Sequence, residues 1–201
     1  MARAGLSPQR VVAEAATVAD EVGLHQLTLA TVAERFGVSL PSLYKHVNGL
    51  DGLRRDLAVM AMRELGAALT AAAVGRSGKD ALESVAHSYR AFAKHRPGLY
   101  EAALRAPSPD DDEHIAVSRD ALGVMIAVAR SYGIEGEDAI HAIRFMRSAA
   151  HGFISQEAAG SFGRAYATGR SEQLLPQSID HSYHLLIEAL HLALTSWSTL
   201  G

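Results

Sequence analysis

The chain has 201 residues, 48% of them apolar, with a formal net charge of -3 and no cysteine. That length can bury a core in one or two domains, and the missing cysteine excludes disulfides, thiolate catalysis and thiolate metal sites. A pI near 6.4 excludes a broadly basic surface and the strong non-specific DNA binding that phosphate neutralisation gives. No apolar run reaches the length of a membrane span and no signal-peptide pattern opens the chain, so a soluble, cytoplasmic protein is expected.

Ser7-Pro8 opens a first helix, a capping hydroxyl followed by a proline suited to the first turn. Its apolar stripe reads as Ala13, Ala16, Ala19 and Val22, and Gly23 ends it. Thr28 caps a second helix whose buried face is Val32, Ala33 and Phe36. Gly37 follows, where left-handed backbone would penalise a Cβ, and Val38 is the apolar plug of a tight turn. Ser39 caps a third helix over about 40–47, with Pro41 in its first turn. It buries Leu43 and Val47 and leaves Ser39, Ser42, Tyr44, Lys45 and His46 outward. An exposed Tyr-Lys-His run on a short capped helix suits phosphate and base-edge contacts in a major groove.

The period stays helical from there on. A long fourth helix is predicted over about 50–74 through Leu53, Leu57, Met60, Leu65 and Leu69, stopped by Gly75-Arg76-Ser77-Gly78. A fifth follows over about 80–95 with Leu82, Val85, Ala86, Tyr89 and Phe92, and Pro97 opens a short sixth to about 104. Residues 106–112 read as a loop leading into an acidic helix start. Helices over about 112–131, 137–158 and 178–196 complete the chain, the last two separated by a Gly- and Ser-rich connection. Strand alternation and internal repeats are both missing. The fold class is all-α, about nine helices, in two parts.

Thr28 with Val32-Ala33, then Gly37-Val38-Ser39, then Leu43-Tyr44-x-His46-Val47, all after a helix opened by Ser7-Pro8, resemble the tetracycline-repressor (TetR) family of one-component regulators over about residues 7–65. The resemblance implies a helix-turn-helix DNA-binding domain, residues 1–50, joined by a long helix to a ligand-binding and dimerisation domain, residues 51–201. It implies a homodimer, usually a repressor, that binds a palindromic operator in double-stranded DNA and is released by a small-molecule effector. A DNA-binding protein without an effector, using its C-terminal part for dimerisation or a protein partner, stands as the alternative. Tyr44 and His46 are expected to hold phosphates, with Ser39, Pro41, Ser42 and Lys45 nearer the bases or adjoining backbone and Thr28 on a phosphate. Asn48-Gly49-Leu50 stands where many members carry a phosphate-binding lysine.

Further along, Arg147, His151-Gly152-Phe153, Glu157, Ser182-Tyr183 and Leu185-Leu186 look like the TetR ligand-domain subtype named for its Trp-His-Gly motif, with Ala150 at the Trp position. Gly152 inside a helix costs roughly 1 kcal/mol relative to alanine, which calls for close approach of a neighbouring helix or backbone access for a ligand. Met60, His87, Tyr89, Phe92, Tyr100, Met125, Met146, His151 and Phe153 offer apolar walls with a few polar groups, as small-ligand pockets require. The same side chains would also make an ordinary core. The expected effector is therefore small and largely apolar.

The last helix carries Ile179, Tyr183, Leu186, Leu190, Leu194 and Trp197 at spacings of three and four, with Leu185, Ile187 and Leu192 off that stripe. A helix apolar on several faces is buried on several faces, so a twofold dimer seam is expected, involving Ala142, Ala149, Tyr183, Leu186, Leu190 and Leu194. His181, His184 and His191 with Glu188 share one helical face at zinc-capable spacing; they read as polar positions on the seam, and no metal is expected. A nucleophile elbow, a phosphate loop and a dinucleotide fingerprint are all lacking, so neither enzyme activity nor a cofactor is expected.

Overall fold

The computed structural model describes residues 6–162 and 175–199. Among the described residues it contains nine α-helices and no strand: α1 (Pro8–Val22), α2 (Leu29–Phe36), α3 (Leu40–Leu43), α4 (Gly49–Ala73), α5 (Gly78–His95), α6 (Pro97–Ala102), α7 (Asp112–Arg130), α8 (Gly136–Ala158) and α9 (Leu175–Thr195). Short 3-10 turns lie at Leu24–Gln26 and Trp197–Thr199. Most of the predicted connection between the last two helices falls outside the described residues. No described helix is long and apolar enough to cross a membrane.

The chain forms two units, one of residues 1–67 with 92–121 and one of residues 68–91 with 122–201. The first unit therefore extends past residue 50, taking in the start of α4, α6 and the start of α7.

In the first unit, α1 is the central element and packs against α2 and α6. Ser7 accepts the Arg10 amide at its start, and Gly23, at φ 90, closes its end by donating to the Ala19 carbonyl. Its buried face is Val11, Ala15, Ala16, Val18 and Ala19, while Ala13 and Val22 are exposed. The stripe expected through Ala13 and Val22 is thus rotated, because two helices cover α1 rather than one. The α6 backbone approaches α1 closely enough that a Cβ on Gly98 would stand 2.3 Å from the carbonyl carbon of Ala19. Asp20 fixes this contact. Its Oδ1 accepts the amides of Gly98 (2.8 Å) and Leu99 (3.2 Å), and Arg96 Nε donates to its Oδ2 at 2.6 Å. Arg96 also reaches Glu64 on α4 at 2.5 Å. A second fork, Arg55, holds Asp111 with Nε and Nη2 and Glu113 with Nη1, and so joins α4 to the start of α7. The Arg55 guanidinium keeps the Asp111 and Glu113 carboxyls below their ordinary range.

In the second unit, α9 buries Tyr183, Ile187, Leu190 and Leu194. It packs on α8, whose buried residues include Ala139, Ala142, Ile143, Met146, Ala150 and Ile154. The Tyr183 hydroxyl donates to the Ala86 carbonyl of α5 at 2.8 Å, which meets the polar requirement of a fully buried phenol.

Candidate nucleic-acid interface

The α2–turn–α3 segment is assembled by three local devices. Thr28, in extended backbone, accepts the Thr31 amide at 3.1 Å, and the Thr31 hydroxyl lies 3.2 Å from the Thr28 amide that donates to it. This reciprocal cap satisfies two donors at the helix start. Gly37 sits at φ 61, ψ 37, the left-handed conformation expected of it, and the Val38 amide closes the motif on the Ala33 carbonyl at 3.1 Å. Ser39 and Ser42 share a hydroxyl hydrogen bond of 2.9 Å at the start of α3.

The regular part of α3 is shorter than the predicted 40–47. It covers Leu40–Leu43, after which Tyr44–His46 continue as turns. The amide of His46 donates to Leu43, three residues back rather than four, a tightening usual at a helix end. Gly49 at φ 71 then lets the chain reverse into α4. Leu43 and Val47 are buried as expected. Phe36 is only half-buried, with the Arg10 guanidinium 5.9 Å from its ring centroid. Thr28, Ser39, Pro41, Tyr44 and Lys45 are exposed, and Ser42 and His46 are half-exposed. Tyr44 stands out at 55% exposure, an amphipathic side chain that the described residues leave more than half uncovered.

Charge on this face is sparse. Arg35 is committed to α1, with Nε 3.0 Å from Glu14 and Nη2 2.8 Å from Glu21. These carboxylates raise its pKa, chiefly through the Glu21 hydrogen bond. Thr31 and Arg35 were not singled out in the sequence, although the Thr28–Thr31 spacing is a capping signal and Glu14, Glu21 and Arg35 each occupy the outward side of a helix. Lys45 forms no ion pair with a described residue, so its charge remains available to a polyanion.

Comparison with known proteins decides which family the chain belongs to. The family model of the tetracyclin repressor-like C-terminal domain matches residues 82–190, more than half of the chain. The chain belongs to the TetR family. The HTH-type transcriptional regulator Rv0681 of Mycobacterium tuberculosis is 39% identical over 158 residues, covering 78% of this chain and 72% of its own. The HTH-type regulator YobS of Bacillus subtilis is 36% identical over 162 residues, covering 81% and 84%. The TetR structure from Acinetobacter baumannii AYE superposes with a TM-score of 0.68 at 20% identity, covering 94% of this chain and 96% of that one, and so shares the fold. This TetR-family protein is a transcriptional regulator.

The residues expected around an effector in this TetR-family chain are divided between the two units. Met60, Phe92 and Tyr100 belong to the first, and His87, Tyr89, Met125, Met146, His151 and Phe153 to the second. Phe92, Tyr100 and Met146 are buried, His87 is exposed, and the others are half-buried. Within the second unit His87 and Phe153 meet at Tyr183, with ring centroids 5.8 and 5.0 Å away. A residue the sequence reading missed sits among them. Arg90 is buried, its guanidinium 4.7 Å from the Tyr183 ring centroid and 5.8 Å from that of Phe153. It donates from Nε and Nη2 to Glu157 at 2.7 and 2.5 Å, and Nη2 lies 2.8 Å from Asp180. These carboxylates, Glu157 first, raise its pKa against the opposing effect of burial. The signal available in sequence was an arginine among the apolar positions Val85, Ala86, Phe92 and Ala93 of α5.

Gly152 has open space where a Cβ would stand, with no atom within 4 Å. Close approach of another described helix of the same chain is therefore not the reason for this glycine. The residues expected at a dimer seam also sort by burial. Ala142, Tyr183, Leu190 and Leu194 are already covered by the chain's own helices, whereas Ala149 and Leu186 are half-exposed. On α8 and α9 the large apolar side chains left outward among the described residues are Leu185 (53% exposed), Leu192 (65%) and Phe145 (42%). The core face of α9 takes Tyr183, Leu190 and Leu194 from the expected stripe and Ile187 from beside it, while Leu186 of that stripe is half-exposed and Leu185 and Leu192 face away.

Proposed function

We propose that this TetR-family regulator is a repressor that binds a palindromic operator as a twofold dimer and is released by a small, largely apolar effector. The observation that carries DNA reading is the α2–Gly37–α3 unit, in which Thr28 caps α2 and exposed Tyr44 and Lys45 project beside Ser39, Pro41 and Ser42. In this reading Tyr44 and His46 hold phosphates, Thr28 meets a phosphate at the α2 start, and Ser39, Pro41, Ser42 and Lys45 lie nearer the bases or the adjoining backbone. Residues 1–50 act as the reader and 51–201 as the ligand-binding and dimerisation part.

Exposed Leu185, Leu192 and Phe145 support a seam built from the outward faces of α8 and α9, since large apolar side chains gathered on helix faces mark association surfaces. A twofold dimer would offer two copies of α3 to half-sites one helical turn apart. His151, Gly152 and Phe153 support the Trp-His-Gly ligand-domain subtype, and the open space at Gly152 suits a ligand or a partner more than internal packing. Arg90 carries its own counterions, so an effector beside Phe153 need not bring charge.

The test is a gel-shift assay against DNA flanking the protein's own gene, with hydrophobic small molecules added in parallel. Tyr44→Ala should weaken binding to all sequences alike, whereas substitutions of Ser42 should change sequence preference. Unchanged operator affinity in Tyr44→Ala would remove α3 from the interface. Release by highly charged metabolites alone would overturn the apolar effector.

A further inference from the structure

Away from the reader, α5 and α9 bring Glu83, His184 and Glu188 to one place. One possible ligand atom from each lies within 4.8 Å of the others, the one such group of histidine and carboxylate side chains among the described residues. His184 and Glu188 are a turn apart on α9, with Nε2 3.7 Å from Oε1, and Glu83 is supplied by α5. A positive charge is already drawn to this point. Lys79, one turn before Glu83, places its Nζ 2.6 Å from Glu188 Oε1 and 3.6 Å from Glu83 Oε1.

A lysine ammonium needs only oxygen acceptors, so the imidazole of His184 is superfluous to that ion pair. For a borderline divalent ion the same nitrogen completes an N,O,O donor set. The neighbouring groups suit that use as well. His191, less than one turn past Glu188, has its Nδ1 2.9 Å from the Tyr132 hydroxyl. The Tyr132 phenol is pushed up to about 12 by burial and by the Glu83 and Glu188 carboxylates, so it stays a neutral hydrogen-bonding group beside them.

We propose that Glu83, His184 and Glu188 form a binding site for a single divalent transition-metal ion of the Zn²⁺ or Co²⁺ kind, with the Lys79 ammonium occupying the ion's place until it binds. On binding, Glu188 exchanges its contact with Lys79 for the metal, and Lys79 turns to solvent. Three protein ligands leave a position for water, and the ion would tie α5 to α9. Nitrogen with carboxylate oxygen favours zinc, cobalt or nickel over calcium or magnesium, which take all-oxygen cages. The histidines of α9 alone did not carry this site, because Glu83 and Lys79 reach it only through the fold.

The test needs no DNA, so it is independent of the operator reading. The full chain is titrated with Co²⁺ and followed by visible absorption, with Zn²⁺ added in competition and helicity checked for every variant. A single Co²⁺ per chain is expected. Glu83→Gln and His184→Ala should each weaken it by about tenfold or more, since loss of a ligand costs at least as much as loss of its supporting partner. Lys79→Met should tighten it on the order of tenfold by removing the competing cation, and His181→Ala should change nothing. Absence of Co²⁺ uptake in Lys79→Met, or equal uptake by the wild type and the Glu83→Gln/His184→Ala double variant, would overturn the site. Tighter binding in Lys79→Met supports it whether or not the ligand variants fold.

Discussion

The substitution Gly98→Ala probes the contact on which the first unit is built. A Cβ there would stand 2.3 Å from the Ala19 carbonyl carbon, 2.4 Å from its oxygen and 2.6 Å from the Asp20 amide nitrogen. All three are backbone atoms, so no side-chain rotation relieves the overlap. Because non-bonded carbons rest near 3.5 Å or beyond, α6 would have to retreat from α1 by roughly 1 Å. That movement pulls on the Asp20 bonds to Gly98 and Leu99, at 2.8 and 3.2 Å, and on the 3.2 Å bond from the Leu24 amide to Glu101. Overpacking costs about 1–3 kcal/mol and each hydrogen bond to a charged group is worth about 1.5–3 kcal/mol. Partial loss of these bonds brings the expected destabilisation to about 3–5 kcal/mol. Urea unfolding followed by circular dichroism reads this directly: at a slope of about 2 kcal/mol per M, the midpoint should fall by about 2 M. Gly152→Ala is the control, since its Cβ meets nothing within 4 Å and helix propensity alone should stabilise it by about 0.5–1 kcal/mol. If Gly98→Ala unfolded within about 0.5 kcal/mol of the wild type, the close α1–α6 approach would be wrong.

Three further outcomes follow from the same geometry. Leu192→Glu, at an outward position, should give a folded monomer in sedimentation with stability within about 0.5 kcal/mol of the isolated subunit, whereas Leu190→Glu should unfold the chain; a Leu192→Glu protein that remains dimeric would refute the seam. His114 is buried, its Nε2 has no hydrogen-bond partner among the described residues, and burial lowers its pKa against the attraction of Asp111 and Glu113, with Arg55 and Arg105 adding to the lowering. The unfolded chain then takes up the proton more readily. This contribution to stability is present above the unfolded value of about 6.5 and is lost as pH falls below it, at up to about 1.4 kcal/mol per pH unit. In His114→Leu the stability curve should be flatter between pH 7 and 5, and an unchanged slope would exclude the histidine as its source. Lys45→Ala should lower the salt dependence of operator binding by roughly one phosphate contact per subunit, a slope change of about 0.9 per subunit and about 1.8 for a dimer in log K against log salt; an identical slope would mean Lys45 touches no phosphate.

The α2–turn–α3 segment was legible because its signals are local. Thr28, Gly37 and Ser39 mark two helix starts and a left-handed stop within a dozen positions, and each makes its hydrogen bonds within about one turn, although the Ser39 hydroxyl meets that of Ser42 rather than an amide. The same holds for Ser7-Pro8 and Pro97, so the predicted starts of α1 and α6 match those observed. Local signals gave the end of α3 less well, since the relaxation at Tyr44–His46 depends on how the chain turns into α4.

Which side of a helix is buried belongs to the tertiary structure. For α1, coverage by both α2 and α6 moved the buried face from Ala13 and Val22 to Val11, Ala15 and Val18. The pattern on α9 was apolar nearly all round, and periodicity alone could not say which leucines the chain keeps for its own core. The buried Tyr183, bonded to Ala86 on α5, decides it and leaves Leu185 and Leu192 outward. Long-range charge pairs were out of reach for the same reason. Arg90 and Glu157 are separated by 67 positions, and nothing local to either residue requires the other. Sequence by itself determined the helices, the caps at Ser7 and Thr28 and the left-handed turn at Gly37, because those are set by bonds within a few residues. The fold alone decided the faces, the buried ion pairs and the grouping of Glu83 with His184, because those depend on which surfaces exclude water together.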